Sequence, residues 1–81
     1  MRQAGIIHFA KLKNSQRLQR GLDALKRAGK RGLTTREWQT RADICNPHTD
    51  SAELKANGIN ITCTPEGRSP TGANVYRYRL V

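Results

Sequence analysis

The chain has 81 residues, with 15 Lys and Arg against 6 Asp and Glu, giving a formal charge of +9 and an isoelectric point near 10.6. A chain of this length makes one domain that buries only about 60% of its unfolded surface, so the core is small. The charge points to a polyanionic partner such as nucleic acid, and no apolar run approaches the roughly 18 residues of a membrane span.

Met1 to Asn14 reads as an N-terminal arm or short extra element ahead of a domain from residue 15 to 81. The weakly apolar Ile6-Ile7-His8-Phe9-Ala10 is broken by His8, is followed by Lys11 and Lys13, and has no small-residue cleavage site. No signal peptide is expected, and the cytoplasm is the default compartment. Ile6, Ile7 and Phe9 are candidates for domain packing or a dimer contact. No heptad marks a dedicated dimer helix, so the expected state is a monomer or weak homodimer.

Asn14 or Ser15 is placed to cap a first helix running to about Ala28, with Leu18, Leu22 and Leu25 forming its apolar stripe and Gly29 ending it. Arg20 and Arg27 fall on its opposite side with Arg17 nearby, and a cluster from Lys26 to Arg31 follows at the helix end. Next, Thr34 with Glu37 three residues on fits a capping box, so a second helix begins at Thr34 or Thr35. Trp38 on this helix is the expected central core aromatic.

Asn46 followed by Pro47 marks a third helix start soon afterwards, since proline at the first helical position loses an N–H that had no partner. Asp50 with Glu53 is a competing start. The helix would stop at Asn57-Gly58. With Leu54 turned to the core and about 100° per residue, Pro47, Ser51 and, marginally, Asp50 face in. His48, Thr49, Ala52, Lys55 and Ala56 then face out.

Beyond Gly58 the period changes to two: Ile59, Ile61 and Cys63 share one face of a half-buried strand, with Asn60, Thr62 and Thr64 on the other. Pro65 to Gly72 has the Gly, Pro and Ser density of a loop. Val75 to Val81 alternates again, placing Tyr76, Tyr78 and Leu80 on one face and Arg77 and Arg79 on the other. The expected architecture is therefore α+β: three helices followed by a basic two- or three-stranded β-hairpin, the layout of a winged helix-turn-helix.

The segments Leu33-Thr34-Thr35-Arg36-Glu37, Cys45-Asn46-Pro47, Glu53 to Ile59 and Tyr76 to Leu80 give the chain a resemblance to small winged helix-turn-helix proteins of bacteriophages and prophages. The match covers roughly Phe9 to Val81. The resemblance implies double-stranded DNA binding in a transcriptional or replication role, with the Pro47 helix as recognition helix and the Gly67 to Gly72 loop as wing. Asp50 and Ser51 depart from the pattern, standing where related sequences carry a basic and an aliphatic residue.

Charge is unevenly spread. Met1 to Arg41 carries 11 basic and 2 acidic residues (+9), Ala42 to Glu66 carries 1 and 4 (−3), and Gly67 to Val81 carries 3 and none (+3). The recognition helix thus lies in the acidic segment, whereas phosphate attraction favours cations there. Base edges are nevertheless read by small and polar side chains while flanking elements hold phosphates. On the helix, His48, Thr49, Ala52 and Lys55 are the candidate DNA contacts. Lys30, Arg31 and Arg36 are the candidate phosphate contacts, Arg68, Ser69 and Arg77 those of the wing, and Thr35 and Asn46 complete the set. Thr71 and Asn74 are further wing residues able to reach backbone or minor groove.

A second hypothesis keeps the fold but docks it on an acidic surface of a host protein, as an inhibitor or modulator. Its motive is the acidic, alanine-containing recognition helix beside basic patches. No cofactor is expected. Cys45-x-x-His48 has local zinc spacing but lacks a second ligand pair, and Cys45 and Cys63, 18 apart, read as reduced thiols. No nucleophile triad or phosphate-cradling glycine loop occurs, so no enzymatic activity is expected.

Overall fold

The computed structural model describes residues 11–81, so the packing role expected of Ile6, Ile7 and Phe9 lies outside the described residues. A 3-10 turn at Leu12–Asn14 leads into α1 (Gln16–Ala28), whose N-terminus is capped by Ser15: its hydroxyl accepts the Leu18 N–H at 3.2 Å. Leu18, Leu22 and Leu25 are buried as their spacing requires, and Gly29 at φ 63° ends the helix. A second 3-10 turn, Gly29–Arg31, precedes the two-residue strand β1 (Leu33–Thr34).

Helix α2 (Thr35–Ala42) opens on the capping box: Thr34 Oγ1 accepts the Glu37 N–H at 3.2 Å, and the Glu37 carboxylate accepts the Thr34 N–H at 3.0 Å. Asp43, left-handed at φ 53°, closes it. Helix α3 (Pro47–Ala56) starts at Pro47 with Asn46 as cap, whose side chain accepts the Thr49 N–H at 3.2 Å. The competing start at Asp50 is not used, and Asp50 lies inside the helix.

The end of α3 explains one departure from the expected strand. Gly58, at φ 87°, gives its N–H to the Lys55 carbonyl, and Ile59 gives its own to the Leu54 carbonyl, both at 3.0 Å. This is the double bond pattern of a Schellman cap. It spends the Ile59 N–H on the helix, so β2 begins two residues late and runs Ile61–Arg68.

The loop expected over Pro65 to Gly72 is corrected as well: strand continues to Arg68, and the turn is only Ser69 to Ala73 before β3 (Asn74–Leu80). Proline is accommodated because β2 is an edge strand, where a missing N–H costs no ladder bond. A register irregularity between Pro65 and Arg68, with Gly67 at φ 91°, absorbs the turn-forming residues as a bulge. Only Ile61 of β2 is buried, and Cys63 is exposed, because the hairpin runs beyond the helices.

The strands form one antiparallel sheet in the order β1-β3-β2, with Leu33 opposite Tyr78 on one side and Cys63 opposite Tyr78 on the other. The element order α1-β1-α2-α3-β2-β3 is that of a winged helix, in an α+β fold with β1 as the third strand. All three α-helices and all three strands contribute to the core: three leucines of α1, Leu33, Trp38, Ala42, Leu54, Ile61 and Tyr78, with Ile44 from the turn between α2 and α3. Each fully buried large side chain is worth about 1.5–3 kcal/mol of transfer free energy. Trp38 sits at the centre, its indole N–H donating to the Gly21 carbonyl at 3.0 Å and its ring 4.9 Å from that of Tyr78.

Gly32 is the position where glycine is indispensable. At φ +68° any Cβ would fall on the Tyr78 carbonyl oxygen and crowd the Arg79 side chain. This close approach brings the Lys30 and Arg31 carbonyls against β3.

Candidate nucleic-acid interface

The first turn of α3, the exposed flank of α2 and the start of β3 enclose a concavity of about 460 Å³ with Thr35, Gln39, Asn46, His48, Asn74 and Tyr76 in its walls. A second, of about 280 Å³, carries Thr35, Arg36, Gln39, Ser69, Thr71 and Asn74. Because Thr35, Gln39 and Asn74 belong to both, the two form one groove from the start of α3 to the turn between β2 and β3. Five candidate residues, Thr35, Arg36, Asn46, His48 and Ser69, therefore come together.

Their roles within the groove differ. The Thr35 hydroxyl is engaged with the backbone of Tyr76, 3.4 Å from both its carbonyl and its nitrogen, and so ties α2 to β3. Asn46 spends its side-chain oxygen on the α3 cap. Arg36 and His48 are exposed at the rim. Gln39 was missed from sequence: it donates to the Cys45 carbonyl at 3.1 Å and holds the turn between α2 and α3. Its signal was its position four residues after Thr35, on the same side of the helix.

Thr49, Ala52 and Lys55 continue the exposed face of α3 together with Ala56. No carboxylate shares that face. Asp50 is buried and Glu53 half-buried, and both are turned to Arg17 of α1, whose guanidinium bonds Asp50 through Nη1 and Glu53 through Nη2 at 3.0 and 3.3 Å. Arg17, grouped from the sequence with the cations opposite the leucine stripe, is thus an inter-helix clamp. Burial pushes the Asp50 carboxyl above its ordinary range, against the pull of Arg17, and its Oδ2 has no partner among the described residues. The acidic character of α3 is consequently an inward property.

Lys30, Arg31 and Arg77 are not part of this groove. Alternation along β3 puts Tyr76 and Tyr78 on the helix side of the sheet and Arg77 on the other. Arg77 pairs with Glu66 at 2.6 Å and donates to the Arg31 carbonyl at 3.1 Å, while Arg31 pairs with Glu37 at 3.0 Å. Arg77 holds the Glu66 carboxyl below its usual range; the Thr34 N–H, then Arg31, do the same for Glu37. Arg68 is exposed at the wing end of β2.

No family model, curated protein or solved structure matches the chain. The site is therefore read from its own chemistry. Among the described residues, no group of three or more His, Cys, Asp or Glu is placed to hold a metal ion, and no helix is long and apolar enough to cross a membrane. Hydroxyls, carboxamides, one imidazole and one guanidinium, that of Arg36, line a groove beside a helix face of small side chains, which suits contacts to base edges and phosphates.

Proposed function

We propose that this protein binds double-stranded DNA sequence-specifically, as a phage or prophage regulator of transcription or replication in the bacterial cytoplasm, and performs no chemistry. The reading is carried by one observation: α3 exposes His48, Thr49, Ala52, Lys55 and Ala56 while Arg17 draws both helix carboxylates inward. Ala52 and Ala56 allow close approach to the major groove and contact with a thymine methyl, and His48, Thr49 and Lys55 reach polar edges or phosphate. Arg36 and the wing residues Arg68 and Ser69 hold the backbone on either side.

The test is a fluorescence titration with random duplex and with genomic fragments at low and physiological salt. Salt-steep binding with selected fragments is expected, because each phosphate contact lowers the slope of log K against log salt by about 0.9. A slope near zero, or no binding at low salt, would overturn the reading and favour a host-protein partner.

A further inference from the structure

Helices cover only the inner face of the sheet. On the outer face, the register places Thr62 beside Arg79, and Thr64 and Thr34 beside Arg77, with Lys30 and Arg31 flanking from the preceding turn. Four cations thus meet two carboxylates, Glu66 and Glu37, and each carboxylate is already engaged by a cation, Arg77 and Arg31 respectively. The surface keeps an excess of positive charge.

We propose that this outer face is a second nucleic-acid surface, gripping the phosphodiester backbone of a DNA segment separate from the one at α3; the presence of that first segment rests on the function proposed above. The arginines are set in position before any ligand arrives. Arg77 is held by Glu66 and the Arg31 carbonyl, and Arg79 donates its Nε–H to the Lys30 carbonyl at 3.2 Å, leaving both of its terminal nitrogens without a partner among the described residues. A guanidinium fixed through Nε presents its remaining N–H groups as a fork that matches phosphate geometry. The exposed Thr62 and Thr64 hydroxyls add neutral donors in the same rows. Gly32 makes the arrangement possible, since only glycine lets the turn carrying Lys30 and Arg31 lie against β3.

Two segments are required because most of the groove lies on the opposite side of β3 from this face, the two meeting only at Thr34 and Val75 on the rim of the smaller concavity. Duplex DNA is stiff over about 150 bp, so a short straight duplex seated in the groove does not fold back over the sheet. The protein would therefore bridge two duplexes.

The experiment mixes donor-labelled and acceptor-labelled short duplexes with the full chain, reading energy transfer and, by sedimentation, the mass of the complex. Transfer within a particle of one chain and two duplexes is expected. Lys30→Gln with Arg79→Gln should abolish transfer and reduce the magnitude of the salt slope by about 2, from two lost phosphate contacts, while one duplex still binds. Thr62→Glu with Thr64→Glu, at exposed positions that leave Arg79 untouched, should abolish transfer by repulsion. Absence of transfer in a wild-type protein whose single duplex is still bound by the sheet variants would overturn the proposal. So would unchanged transfer in the folded variants, or bridging by particles that hold two chains. A groove variant, Arg36→Gln with His48→Ala, separates the two readings: if it binds as wild type does while the sheet variants bind nothing, the α3 reading fails and the sheet surface stands.

Discussion

The helical part of the molecule and its hairpin are held by different physics. From Ser15 to Ile61, each helix has a side-chain cap and turns apolar residues onto Trp38 and its neighbours, so structure there is set by burial. Beyond Ile61 every residue of β2 is exposed, and the hairpin is held by its ladder, by Tyr78 and by ion pairs such as Arg77 with Glu66. Partly exposed ion pairs of this kind contribute modestly to stability. The hairpin is consequently free to vary its side chains for a partner, while the helical part is not.

The largest test of that contrast is a pair of truncations. Trp38→Ala should cost about 3–5 kcal/mol, from the lost ring, the cavity and the lost indole hydrogen bond to the Gly21 carbonyl. Thr64→Ala on the outer strand should stay within about 0.5 kcal/mol. Chemical denaturation followed by far-UV circular dichroism measures both, and a Thr64→Ala cost approaching that of Trp38→Ala would dissolve the distinction.

Tyr78 is the point where the two regions join, and it sharpens the comparison through pH. Burial first, then the Cys63 thiol, pushes its hydroxyl from 10.0 up to about 12, with Thr35 opposing. The folded state then keeps a proton that the unfolded chain has released, so the stability linked to Tyr78 is intact below pH 10 and falls as pH rises toward 12. At 1.36 kcal/mol per unit this is about 3 kcal/mol at most. Wild type should lose stability over that window relative to Tyr78→Phe, as read by Trp38 fluorescence. Parallel curves would place the origin elsewhere.

Much of this contrast is legible in the sequence, because caps and periodicity are local. Ser15, the Thr34 and Glu37 box, Asn46-Pro47 and Asn57-Gly58 each mark a helix end within a few residues, and the stripe of Leu18, Leu22 and Leu25 names the buried side. The wing was harder. Pro65 and Gly67 carry turn chemistry, and only the pairing with β3 makes them strand. The candidate site divides for the same reason: charge along the chain does not reveal that Lys30, Arg31 and Arg77 face away from His48, since that depends on which side of β3 each element packs. Nor does local sequence show that Asp50 and Glu53 find Arg17, more than thirty positions earlier.

That clamp gives the next test. Removing Arg17 leaves Asp50 buried without its cation, and Arg17→Met should cost about 2 kcal/mol, below the 3–5 kcal/mol of a fully buried pair because the Arg17 side chain is 37% exposed. In that background Asp50→Asn with Glu53→Gln should recover much of the stability, since the buried Asp50 charge is then gone. DNA affinity should follow the same order: weakest in Arg17→Met, where two carboxylates lose their neutralising partner beside the phosphates, and restored in the triple variant. Equal affinity in all three folded proteins would sever the link between the clamp and the recognition face.

The smallest expected effect is at the α2 cap. Thr34→Ala removes the acceptor for the Glu37 N–H and should cost about 1 kcal/mol. The Glu37 carboxyl lies below its ordinary 4.5 through the Thr34 N–H and Arg31. The stability it contributes is therefore full above pH 4.5 and is lost as pH falls through its lowered folded value. Asp50 works in the opposite direction, because its raised folded value makes the ionised form a cost that acid relieves. Glu37→Gln should flatten the Glu37 part of the acid limb while keeping the capping geometry, and Asp50→Asn in the Arg17→Met background should steepen what remains. If Glu37→Gln leaves the acid limb unchanged, the box contributes to α2 through geometry alone, and its charge does nothing for the fold.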